Sequence, residues 1–139
     1  MTESLATRSG DRTLRVNGKL IHSAFHPRRE ASRFVEALDI GTPQCILLLG
    51  AGVGYILEAL RCRFPGARLV SVALFPIRSA ESTVAALADH SWSPDQPESF
   101  SQFLAHAVHE LDSLSIAVVE WKSGAAVDGA LADSLRSEI

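Results

Sequence analysis

A chain of 139 residues is the size of one domain and can bury a sizeable core. Its 47% apolar and 21% charged content is ordinary for a folded domain, and no apolar run approaches the ~20 residues that span a bilayer. Net charge is −3, unevenly spread: seven Lys/Arg against four Asp/Glu in residues 1–36, six against twelve in the rest. A basic start this sparse, without interleaved aromatics, argues against nucleic acid and reads as a solvated face. Cys45 and Cys62 form no CxxC and no disulfide framework, and the first residues do not resemble a secretory signal. The expectation is a cytoplasmic protein with reduced thiols and no membrane partner.

Met1 to Gly10 is polar and aperiodic, so residues 1–10 are expected to be a disordered tail. Residues 11–41 read as a β-hairpin and a helix. Asn17-Gly18, between Thr13-Leu14-Arg15-Val16 and Lys19-Leu20-Ile21-His22, predicts a type I′ turn joining two short antiparallel strands. Pro27 opens a helix with Ala31, Phe34, Val35 and Leu38 on one face and a stop at Gly41.

Residues 42–139 form the predicted core. Strand Gln44–Leu49 runs through a glycine turn into helix Val53–Phe64, then Pro65-Gly66 and strand Arg68–Leu74. This is a βαβ unit, for which a right-handed parallel crossover is expected. Ile77–Ala88 has helical spacing, and His90–Trp92 is a short strand or only a turn. Pro97 opens a helix with Phe100, Phe103, Leu104, Val108 and Leu111 on one face. Ser115–Trp121 is a second continuously apolar strand, and a weaker helix covers Ala125–Arg136. Strands alternating with helices predict a three-layer α/β sandwich of Rossmann-like, methyltransferase type. Its sheet is mostly parallel but truncated, as though trimmed or drawn from a larger parent.

Cys45–Tyr55 carries the candidate site. An apolar strand meets Gly50, Gly52 and Gly54 at alternate positions, and a helix follows at once. Such glycines let the backbone turn sharply and approach a ligand, while the helix N-terminus favours an anion. Gly50, Ala51, Gly52, Gly54 and Tyr55, together with Ala73 at the end of the next strand, are therefore the candidate cofactor-binding residues, for a nucleotide or S-adenosylmethionine. The usual companion is a carboxylate about 20 residues on, at the next strand's end, gripping the ribose. No Asp or Glu lies between Glu58 and Glu81, and Ala73 stands where the acid is expected. A ribose there loses charge-assisted hydrogen bonds worth ~1.5–3 kcal/mol each. Asp95 and Glu120 are the remaining acids that could fall near strand ends.

Hairpin, helix and strand–GxGxG–helix in this order resemble the layout of spermidine synthases and class I methyltransferases. A closer resemblance is to the motility accessory factor and hydroxymethylpterin-diphosphokinase-like family. It is carried by Gly18-Lys19-Leu20-Ile21-His22-Ser23, Pro27-Arg28-Arg29-Glu30-Ala31, Leu48-Leu49-Gly50-Ala51-Gly52-Val53-Gly54-Tyr55 and, weakly, Val119-Glu120-Trp121. It covers most of residues 13–121, as the module that precedes the family's transferase-like domain. Members are implicated in flagellin glycosylation or pyrophosphoryl transfer to a pterin. The catalytic domain's Gly-Pro-Ser-Leu type motif has no counterpart here. The resemblance implies an accessory Rossmann-like domain with a degenerate crevice, not catalytic alone.

The alternatives are an S-adenosylmethionine-dependent methyltransferase or aminopropyltransferase, with the hairpin or Glu120 near the substrate, and a purely structural domain. Arg28 and Arg29 could meet a phosphate, or simply be solvated charges at a helix start. His22 could serve the crevice or cap backbone. His106 and His109, three apart on one helix, lack a third ligand for a metal. Ser23, Ser71 and the cysteines have no adjacent base. Trp92 and Trp121 could stack on an adenine or pack in the core. A hairpin with Val16, Leu20 and Phe25 needs cover, so a homodimer through the hairpin or an exposed sheet edge is expected.

Overall fold

The computed structural model describes residues 2–16, 18–22, 25–51, 54–75, 87–110 and 115–139, the side chains at 2–4, 12, 14 and 108–110 excepted. An antiparallel sheet runs in the order β1 (Thr2–Ala6), β2 (Arg12–Val16), β3 (Lys19–Leu20). A parallel sheet contains β4 (Cys45–Leu49), β5 (Arg68–Val72), β6 (His90–Trp92) and β7 (Ile116–Glu120), in the order β6-β5-β4-β7. The described helices are α1 (Pro27–Glu36), α2 (Tyr55–Arg63), α3 (Phe100–Glu110), α4 (Lys122–Ala125) and α5 (Gly129–Glu138), with a 3-10 turn at Ala126–Asp128.

β4 is apolar throughout because it is covered on both faces. Ile46 and Leu48 pack with Val35, Ile56, Leu57 and Leu60 from α1 and α2. Cys45, Leu47 and Leu49 pack with Phe100, Phe103 and Leu135 from α3 and α5. The molecule is therefore mixed α/β, a four-stranded parallel sheet with helices on both sides. Among the described residues no helix is long and apolar enough to cross a membrane.

The hairpin forms with Val16 opposite Lys19, leaving a two-residue connection, and Gly18 sits at φ 81°. Asn17 lies outside the described residues. β3 stops after two residues because the groups beyond it bond elsewhere. The Ile21 carbonyl accepts from the Trp121 indole at 2.8 Å. The Thr13 hydroxyl donates to the His22 carbonyl at 3.0 Å and accepts from the His22 N–H at 3.2 Å. Val16 and Ile21 enter the core beside α1 and α2, whereas Leu20 and Phe25 stay exposed, so the chain covers only part of the hairpin's apolar surface.

Within the expected tail at 1–10, Thr2–Ala6 is instead the strand β1, registered from Thr2↔Val16 to Ala6↔Arg12. Its composition is a poor strand signal. The turn after it holds it in place: the Thr7 N–H and hydroxyl both donate to the Asp11 carbonyl, at 2.8 and 2.7 Å. Three boundaries also move for local reasons. α1 ends at Glu36, and the Arg63 guanidinium takes the carbonyls of Val35 and Leu38. α3 starts at Phe100 rather than Pro97 because Ser99 and Gln102 form a reciprocal capping box at 3.2 and 3.0 Å. The C-terminal helix is broken in two, and Asp128 caps α5 through the Leu131 N–H. The helix expected at Ile77–Ala88 falls, but for its last two residues, outside the described part.

Replacing Thr13 with Val keeps the shape and removes both bonds to His22. Two buried backbone groups then lose their partner, so a loss of about 1–3 kcal/mol is expected by urea denaturation.

Candidate functional site

In the order β6-β5-β4-β7 the strand order reverses at β4, since β5 and β6 are added on one side of it and β7, still parallel, on the other. Open parallel sheets bind ligands at such a switch point, outside the strand C-termini. Three segments converge there: the glycine turn after β4, Ala73 after β5, and Trp121 with α4 after β7.

Gly50 has φ 91°, a conformation glycine adopts freely. Its N–H donates to the Val72 carbonyl at 2.8 Å, and the Ala51 N–H donates to the same oxygen at 3.1 Å. Both amides at the start of the turn are thus spent on β5. Gly52 and Val53 lie outside the described residues. Gly54 precedes α2, and its carbonyl accepts the Glu58 N–H at 3.0 Å. Ala51 and Tyr55 are buried.

The close approach at Gly50 is to protein. A Cβ on Gly50 would lie 2.5 Å from the Trp121 carbonyl and 2.7 Å from the Ala125 nitrogen. A Cβ on Gly124 would lie 1.8 Å from the Gly50 carbonyl oxygen. The turn after β4 and the helix after β7 meet backbone to backbone, with a glycine on each side. Gly124 was not a candidate from sequence; its signal was Ser123-Gly124 directly after an apolar strand.

Above this contact sits an aromatic cluster. His22 stacks on Trp121 with centroids 5.8 Å apart and meets Tyr55 edge-on at 5.1 Å. Phe34 meets Trp121 edge-on at 4.9 Å. Burial lowers the His22 pKa from 6.5 to about 4, so the ring is neutral at pH 7. Lys19 donates to the Ala126 carbonyl at 2.9 Å, tying the hairpin to the segment after α4. His22 and Trp121 are therefore brought to the glycine turn, as packing partners of one another.

The other candidates are committed elsewhere. Ala73 is buried, and its N–H donates to the Trp92 carbonyl at 2.9 Å. Arg28 pairs with Asp11 at 3.0 Å and with Glu58, and lies 5.0 Å over the Tyr55 ring. Its charge is neutralised beside the ≈ 460 Å³ groove between α1 and α2 that Cys62 also lines. Arg29 is exposed. Glu120 is held by Arg136, whose hydrogen bond keeps the carboxyl below its ordinary pKa. That makes it a poor proton acceptor. Asp95 is exposed and accepts from the Ser93 hydroxyl. Trp92 packs edge-on against Phe100 and donates to the Glu98 carbonyl. Ser71 and Cys45 are buried on strands, and burial pushes the Cys45 thiol up. His106 is exposed, 3.6 Å from Glu98. Ser23 and the His109 side chain lie outside the described residues. Among the described residues no group of three His, Cys, Asp or Glu could hold a metal ion.

No protein-family model matches the chain, and neither a curated protein nor a solved structure is significantly similar to it.

Two outcomes test this geometry. Gly124→Ala drives a Cβ into the Gly50 backbone and should destabilise by about 3 kcal/mol or more, whereas Gly129→Ala, with open space around it, should not. Since folded His22 titrates near 4 and unfolded histidine near 6.5, its contribution is complete above pH 6.5. It is lost as pH falls toward 4, by on the order of 3 kcal/mol. Denaturation midpoints across that range should show a shallower decline for His22→Phe than for the parent chain.

Proposed function

We propose that the chain is a Rossmann-like binding or accessory domain of the motility-accessory-factor type. Its nucleotide or S-adenosylmethionine-type crevice is degenerate, and it is not catalytic alone. The observation that carries this reading is the contact of Gly50 with Gly124. In a cofactor-binding turn the glycines together bend the chain tightly and leave room for the backbone to approach a pyrophosphate or adenosyl group. Here the room is taken by the Trp121 carbonyl and the start of Ala125. Three further facts support the same reading. The Gly50 and Ala51 amides are spent on Val72. The position after β5 is a buried alanine. The hairpin's return strand is latched across the top through Trp121. A domain of this kind acts by what its surface holds, inside a larger assembly or parent protein.

Melting curves of the chain with millimolar S-adenosylmethionine, S-adenosylhomocysteine or a nucleotide sugar should superimpose on the ligand-free curve. A working site at 100 times its Kd would add about 2.7 kcal/mol and raise the melting temperature by several degrees. A rise with the adenosyl ligands overturns the accessory reading in favour of a methyltransferase or aminopropyltransferase.

A further inference from the structure

The two edges of the parallel sheet are not alike. β6 is three residues long and carries Ser91, a blunt edge. β7 is five residues, IAVVE, and pairs only with β4 among the described strands. Its odd-numbered residues turn their backbone groups toward β4. The Ser115 carbonyl accepts from the Cys45 N–H at 3.0 Å, and the Trp121 N–H donates to the Leu49 carbonyl at 2.8 Å. Strand alternation aims the N–H and C=O groups of Ile116, Val118 and Glu120 outward. The side chains agree. Ile116, Val118 and Ile139 are 45%, 49% and 45% exposed, three of the five large apolar side chains exposed among the described residues. They share a groove of ≈ 700 Å³ floored by Leu47 and walled by Leu104.

We infer that β7 is the two-fold interface of a homodimer, paired antiparallel with β7 of a second copy, with Val118 on the axis. In that register Val118 faces its own counterpart and Ile116 faces Glu120 of the other copy. Every outward N–H and C=O of these three residues then finds a partner across the axis. An axis perpendicular to the sheet puts both grooves on one face, so the apolar layers beside β7 become continuous. Like charges directly opposite would oppose the pairing. None arises, because Glu120 meets Ile116 and its carboxylate is already held by Arg136. An unrelated strand could satisfy the backbone, but a second copy also supplies the matching apolar half, as an isologous interface requires. A strand and its flanking groove are at the small end of stable interfaces, so association in the micromolar range is expected. The antiparallel sheet is the weaker candidate: Leu20 and Phe25 are exposed on or beside it, but Val16 and Ile21 already pack into their own core. The inference holds whatever the crevice binds.

Sedimentation velocity from micromolar to hundreds of micromolar should show the chain passing from monomer to dimer. Val118→Lys and Val118→Glu place like charges against each other on the axis. Each should stay monomeric, with melting temperature and circular dichroism close to the parent's, as a half-exposed position allows. Mixing the two variants in equal amounts should restore a dimer, because lysine then faces glutamate. A parent chain that is monomeric throughout overturns the inference, as does a dimer that persists in Val118→Lys. A mixture that stays monomeric overturns the placement of Val118 on the axis.

Discussion

Two glycine backbones in contact fix the top of this molecule. Gly50 ends the central strand's run and Gly124 lies one turn into the helix after its neighbour β7; neither tolerates a Cβ toward the other. Because β4 and β7 are hydrogen-bonded neighbours, this contact closes the gap that a reversal of strand order otherwise leaves open. Everything above it follows from that closure. Trp121 is held at the seam, its indole reaches the Ile21 carbonyl, and the hairpin is drawn down over the sheet's end. The closure leaves the C-terminal ends of β4 and β7 packed against protein.

The aromatic cluster shows the energetic consequence. His22 is carried into an apolar setting between Trp121 and Tyr55, where its charged form is disfavoured by desolvation. A histidine held neutral against two rings behaves as a flat, largely apolar side chain. Its backbone is satisfied by the Thr13 hydroxyl, which works as donor and acceptor at once. Polar and apolar requirements are thus met by one short segment. That is how a two-residue strand, marginal by itself, is stabilised in place.

The parallel core was legible because its signals are local and redundant. Cys45–Leu49 is an unbroken apolar run, glycines follow it, and Ile56, Leu57 and Leu60 recur at helical spacing. β1 was not legible, because Thr2–Ala6 owes its conformation to pairing with Arg12–Val16 and to the Thr7–Asp11 turn. Ser9-Gly10 was a turn signal that polarity obscured. The candidate site divides in the same way. That Gly50 needed to be glycine could be read from its position after the strand. What it makes room for could not, since a ligand and a helix backbone ask the same of that residue. Gly124, 74 positions later, carries the answer: Ser123-Gly124 after an apolar strand marks a turn signal but not what the glycine packs against.

Ala73 completes the argument from a different direction. A carboxylate after the second strand is useful where it faces a cleft with a ribose in it. Here the position is buried, its N–H is bound to Trp92, and its neighbours Leu74 and Phe75 enter the clusters on opposite faces of the sheet. An ionised side chain at such a place would suffer desolvation with no cation beside it among the described contacts, a severe penalty. A buried alanine after β5 and a packed turn after β4 are therefore consistent with one another. Once α4 is seated on Gly50, the chain gains more from an apolar residue after β5 than from an anion with nothing to hold.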